Sequence, residues 1–127
     1  MASPVSTIAQ WTLDVQDVGT MARFWSQALG YRIEQGDDGS AKLYPPPEAP
    51  PSALTVWLQA SAGPKRGKNR NHPDLTTAGD PDVEVDRLIG LGAKPVDVGQ
   101  RGDEGFVVLA DPEGNEFCLL RRPPRAV

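Results

Sequence analysis

Ile8, Trp11, Leu13 and Val15 are apolar, with Gln10, Thr12 and Asp14 between them. From Trp11 onward the period is two, which predicts a strand over 7–15. Val18, Met21, Ala22, Trp25, Ala28 and Leu29 then recur at offsets of three and four. That spacing lays one buried stripe along a helix over 18–29. Asp17 suits its N-cap and Gly30 its left-handed C-terminal stop. Strands follow at 31–34 and 41–44, joined by the turn Asp37-Asp38-Gly39-Ser40. A fourth strand covers 53–59.

The second half repeats that order. A strand is expected over 71–77 and a helix over 81–91, with Asp80 as N-cap and Pro81 in the first turn. Its apolar stripe is Val85, Leu88, Ile89 and Leu91. Strands at 94–98, 106–110 and 116–120 complete the pattern. They are divided by turns at 100–105 and Asp111-Pro112-Glu113-Gly114-Asn115. Gln10 precedes Gly30, and His72 precedes Gly92, by the same 20 residues. An α+β fold of two tandem βαβββ modules is therefore expected. The first module spans 7–60, a linker 61–70 and the second module 71–121. Residues 122–127 form a frayed tail, and the whole reads as one domain of 1–127.

Alternation also assigns faces. Gln10, Thr12 and Asp14 share one face of the first strand, and Thr55, Trp57 and Gln59 one face of the fourth. His72, Asp74 and Thr76 go together, as do Glu116, Cys118 and Leu120. Residues on the opposite faces, Trp11 among them, are expected to pack against the helices, and Trp25 on the helical stripe is expected in the same core.

Composition narrows the field. The 39% hydrophobic and 24% charged content fits a folded globular chain, and the net charge of −4 gives no nucleic-acid footprint. Lys65, Arg66, Lys68 and Arg70 form the longest basic cluster. It reads first as a solvated linker and second as a patch that attracts an anion. Cys118 is the single cysteine, so no intrachain disulfide can form. The chain shows no secretory signal pattern and no apolar run of membrane-spanning length. A cytoplasmic protein without membrane partners is expected.

Two segments carry a resemblance. Trp11–Tyr31, with Trp-Thr-Leu-Asp-Val-Gln-Asp and Phe-Trp-Ser-Gln-Ala-Leu-Gly-Tyr, resembles the first strand and helix of the vicinal oxygen chelate superfamily, which includes glyoxalase, bleomycin-resistance and dioxygenase members. Asp111–Leu120, Asp-Pro-Glu-Gly-Asn-Glu-Phe-Cys-Leu-Leu, resembles its last hairpin. Lys68–Leu75 and Leu88–Ala93 are similar to a glyoxalase-like subgroup. The resemblance implies that the modules' mixed sheets form a cup whose non-helical face lines a cavity. It also implies a homodimer, in which pairing covers sheet edges.

In the family's metal-dependent members, each module gives one ligand from its first strand and one from its last. Those positions here are Gln10, Gln59, His72 and Cys118, of which His72 alone is a usual ligand. Asp74 or Glu116 could substitute from neighbouring positions.

The resulting expectation is a metal-independent small-molecule-binding protein without a cofactor. Its ligand, partly apolar or aromatic, would meet Gln10, Trp57, Gln59, His72, Asp74, Glu116 and Cys118. One alternative is a lyase or isomerase of the glyoxalase kind, with an unusual metal shell or with His72 and Asp74 or Glu116 as acid and base. Another is a fold-only interaction module. Cys118 as a nucleophile would need His72 as its base.

Overall fold

The computed structural model describes residues 4–102 and 104–124. They form two compact units, which divide between Gly63 and Pro64. Each has one helix and one four-stranded mixed sheet, so the fold is α+β with two tandem modules.

In the first unit the elements are β1 (Gln10–Val15), α1 (Val18–Leu29), β2 (Arg32–Gln35), β3 (Ala41–Tyr44) and β4 (Thr55–Ala60). Sheet order is β1-β4-β3-β2, with β1 and β4 parallel and the other pairs antiparallel. The Asp17 carboxylate accepts from the Thr20 amide at 3.1 Å, satisfying a free donor of the first turn of α1. Trp25 packs edge-on against both Trp11 and Phe24, with ring centroids 5.1 Å apart in each case. Phe24 is buried although it falls outside the expected stripe. Ile8, expected in β1, lies before the strand and is 76% exposed. At the far end of α1, Gly30 has φ 71° and donates its amide to Ser26 O. A Cβ at Gly30 would meet nothing within 4 Å, so the cost of Gly30→Ala is one of backbone conformation. Chemical denaturation should show a loss of about 1 kcal/mol for that variant.

The second unit holds β5 (Asp74–Leu75), α2 (Pro81–Leu91), β6 (Lys94–Pro95), β7 (Phe106–Ala110) and β8 (Glu116–Leu120). Its order is β5-β8-β7-β6, again with one parallel pair, β5 with β8. Two of these strands are shorter than expected, the first at a proline and the second at a side chain that competes for its backbone. The strand foreseen over 71–77 shrinks to Asp74–Leu75. Pro73 has no N–H to donate, although its carbonyl accepts from the Cys118 amide at 3.0 Å. Lys94–Val98 shrinks to Lys94–Pro95. The Val96 amide still donates to Val108 O at 3.3 Å, but the Gln100 side chain takes the Val96 carbonyl and the Val98 amide, each at 2.7 Å.

Leu88 is the one fully buried residue of α2. Ile89, expected on the same stripe, is 38% exposed. The helix packs on β8, whose Phe117 and Leu119 are buried on that side together with Leu109 of β7. The expected turn over 100–105 is present around Glu104, which accepts from the Arg101 and Gly102 amides; Asp103 lies outside the described residues. So do residues 1–3 and 125–127, and with them the ends of the chain on which the signal and tail expectations partly rest.

Candidate functional site

Opposite Phe117 and Leu119, the other face of the second sheet borders a cavity of about 230 Å³. Its floor is Val98, Phe106, Val108 and Leu120. Register explains the floor: Phe106 pairs with Leu120 and Val108 with Cys118, so alternate residues of β7 and β8 point the same way. The polar side is made by His72, Asp74, Glu116 and Cys118, with Lys68 beside them. Four of the seven expected site residues thus line one cavity. The apolar floor of Phe106, Val108 and Val98 was not foreseen, although the period-two run of β7 carries the signal.

Asp74 and Cys118 are direct neighbours across the parallel β5–β8 ladder. His72 stands two residues before Asp74, and its Nδ1 is 3.7 Å from Asp74 Oδ1. One donor atom from each of His72, Asp74 and Cys118 lies within 4.8 Å of the others. Burial raises the Cys118 thiol pKa, and the charge and hydrogen bonding of Asp74 raise it further; Lys68 acts weakly the other way. The thiol is therefore protonated near neutral pH, which disfavours Cys118 as a free nucleophile.

Glu116 lines the same cavity but is already engaged. Its carboxylate, only 6% exposed, meets Lys65 Nζ at 2.7 Å and accepts from the Asn69 amide at 3.1 Å. Burial alone would raise its pKa; the Lys65 and Asn69 donors outweigh that and lower it. The turn before β8 sets this arrangement up. Asp111, 1% exposed, accepts from the amides of Glu113 and Asn115, while Gly114 takes φ 89°. Asn69 Nδ2 also donates to Asn115 Oδ1 at 3.3 Å. Residues 65–69, expected as a solvated linker, are thereby fastened to the start of β8, with Lys68 at the cavity.

Gln10, Trp57 and Gln59 belong to the first unit. Trp57 is half-buried, with Lys42 Nζ 5.6 Å from its ring centroid. With Ser40, Lys42 and Tyr44 it borders a shallow cavity of about 130 Å³. Gln10 lies opposite Thr55, and its amide donates to Thr12 Oγ1 at 3.4 Å. Gln59 is paired with Asp14, which accepts from Ser61 Oγ at 2.7 Å.

The glyoxalase-like domain family matches residues 10–120, so this chain belongs to that family. Among solved structures it is similar to the fosfomycin resistance protein FosX from Listeria monocytogenes complexed with Mn(II) and sulfate ion. The TM-score is 0.70 at 16% identity, covering 92% of this chain and 90% of that one. A glyoxalase/bleomycin resistance protein/dioxygenase family enzyme from Burkholderia phytofirmans gives 0.65 at 14% identity, over 87% and 94%. A hypothetical protein from S. aureus gives 0.64 at 20% identity, over 94% and 96%. These likenesses establish the vicinal oxygen chelate fold. No curated protein matches the chain. No helix among the described residues is long and apolar enough to cross a membrane.

The donors here fit a manganese centre poorly. Manganese favours carboxylate, carbonyl and water oxygens. In the second unit Cys118 offers sulfur, and the Glu116 carboxylate is held by Lys65.

Proposed function

We propose that this protein binds a compact, partly apolar organic molecule in the cavity of its second unit. The observation that carries the reading is the division of that cavity into an apolar floor and a polar side. Phe106, Val108, Val98 and Leu120 would take up the apolar body, and His72, Asp74 and Cys118 would orient a polar group. At about 230 Å³ the space is below the roughly 300–1,000 Å³ of drug-sized sites, which favours a compact ligand. Binding needs no manganese-type centre, because the apolar floor supplies the main driving force. The family likeness makes fosfomycin a sensible first probe, alongside small aromatic natural products and hydroxy-acid thioesters.

A ligand that binds only the folded state raises the melting temperature, by about 2.7 kcal/mol of added stability at 100 times its Kd. Thermal-shift screening should therefore yield stabilising compounds. His72→Ala should weaken their binding by about tenfold, the worth of a lost polar contact. It should leave the unliganded melting temperature nearly unchanged, since the His72 side chain is 34% exposed. Undiminished affinity in that variant would remove His72 from the site.

A second reading, catalysis of lyase or isomerase type, is favoured by the clustering of His72, Asp74 and Cys118. His72 with Asp74 would then serve as the acid–base pair, since Lys65 draws Glu116 away from that role. Chemical change of a bound compound on incubation would select this reading. We also propose a homodimer in the cytoplasm: the lone free Cys118 suits a reducing compartment, and pairing would cover exposed edge strands such as β2. Sedimentation would report the assembly.

A further inference from the structure

We infer that the cavity of the second unit takes a compact zwitterion with an apolar side group, of which an apolar α-amino acid is the simplest, Lys68 meeting its carboxylate and Asp74 its ammonium. The inference rests on the ligand-binding reading of that cavity and narrows it to one class of ligand.

Charge decides the class. Glu116 and Lys65 meet at 2.7 Å and cancel each other. That leaves the ammonium of Lys68 and the carboxylate of Asp74, both lining the cavity. Among the described residues Lys68 makes no ion pair and no side-chain hydrogen bond. Asp74 is 50% exposed, and His72 Nδ1 lies 3.7 Å from it, too far for a hydrogen bond. The Cys118 thiol feels both charges: burial raises its pKa, Asp74 raises it further and Lys68 lowers it. Two opposite charges therefore face one space without pairing. An organic anion there would gain from Lys68 and be repelled by Asp74, and a cation would meet the reverse. A molecule that carries both charges satisfies both groups and brings no net charge into the site.

The fold sets both groups in place. Asp74 is held beside Cys118 by the parallel β5–β8 ladder. Lys68 sits between two residues fastened to one carboxylate: Lys65 through its ammonium and Asn69 through its backbone amide at 3.1 Å. The fastening thus carries the Lys68 ammonium to the rim of an apolar floor, where Phe106, Val108 and Leu120 receive the side group. A cavity of about 230 Å³ suits a single amino acid rather than a peptide.

The test titrates the full-length chain by calorimetry, near neutral pH and at low salt, with L-leucine and L-phenylalanine. Each is set beside its two truncated forms. Isocaproate and hydrocinnamate lack the ammonium, and isoamylamine and phenethylamine lack the carboxylate. At least one amino acid should bind at one equivalent, and about tenfold or more tighter than either of its truncated forms, the worth of a charged contact. Lys68→Met should weaken that amino acid by about tenfold and leave the amine undiminished. Asp74→Asn should weaken the amino acid likewise and leave the carboxylate undiminished. Both side chains are exposed, so both variants should fold, and the comparison of ligands on the wild type stands without them. Failure of both amino acids to bind, or a truncated form that binds as tightly as its parent, would overturn the inference. Neutral apolar compounds that raise the melting temperature while both amino acids do not would leave the ligand cavity standing though its charges had been misread.

Discussion

Trp25→Ala should lower the unfolding free energy by about 3–5 kcal/mol, the usual cost of emptying a buried tryptophan site. Trp25 is 1% exposed and meets Trp11 and Phe24 edge-on, so truncation removes two aromatic contacts and leaves a hole that the helix cannot close. Trp57→Ala should cost only about 1 kcal/mol, because Trp57 is half-buried on the opposite face of its sheet beside Lys42. Urea denaturation followed by circular dichroism measures both. Equal losses would mean that the two faces of the first sheet have been assigned wrongly.

The second large effect concerns the fastening of residues 65–69. Lys65→Ala would leave the Glu116 carboxylate buried without its ammonium partner. Removing one member of such a pair costs more than the pair contributes, because the remaining charge is stranded. With Lys65 itself 21% exposed, a loss of about 2–3 kcal/mol is expected. Glu116→Gln should cost less, about 1 kcal/mol, since the amide keeps an acceptor for Asn69 and the lysine can turn to water. Faster hydrogen exchange at the Asn69 amide should accompany the Lys65 variant. An unchanged stability and exchange rate would show that residues 65–69 are held by something other than Glu116.

Much of this architecture was legible in the chain. The α1 stripe and the Asp17 and Gly30 signals placed a helix whose ends agree with the structure, because capping and burial act locally on the same residues. Alternation in β8 separated Glu116 and Cys118 from Phe117 and Leu119, and the structure puts the two pairs on opposite faces. What escaped was decided by partners distant in sequence. Glu116 was expected at the cavity, but nothing local reveals that Lys65 and Asn69, about 50 residues earlier, close on its carboxylate. The short β5 followed from Pro73, which lacks a donor, and the short β6 from the Gln100 side chain, which takes Val96 O and Val98 N.

The cavity of the second unit can be tested by nuclear magnetic resonance. Nitrogen-15-labelled protein would be titrated with the compounds that raise its melting temperature. Saturable shifts should centre on the amides of Phe106, Val108, Cys118 and Leu120. Shifts that leave those four untouched while other residues respond would contradict the account.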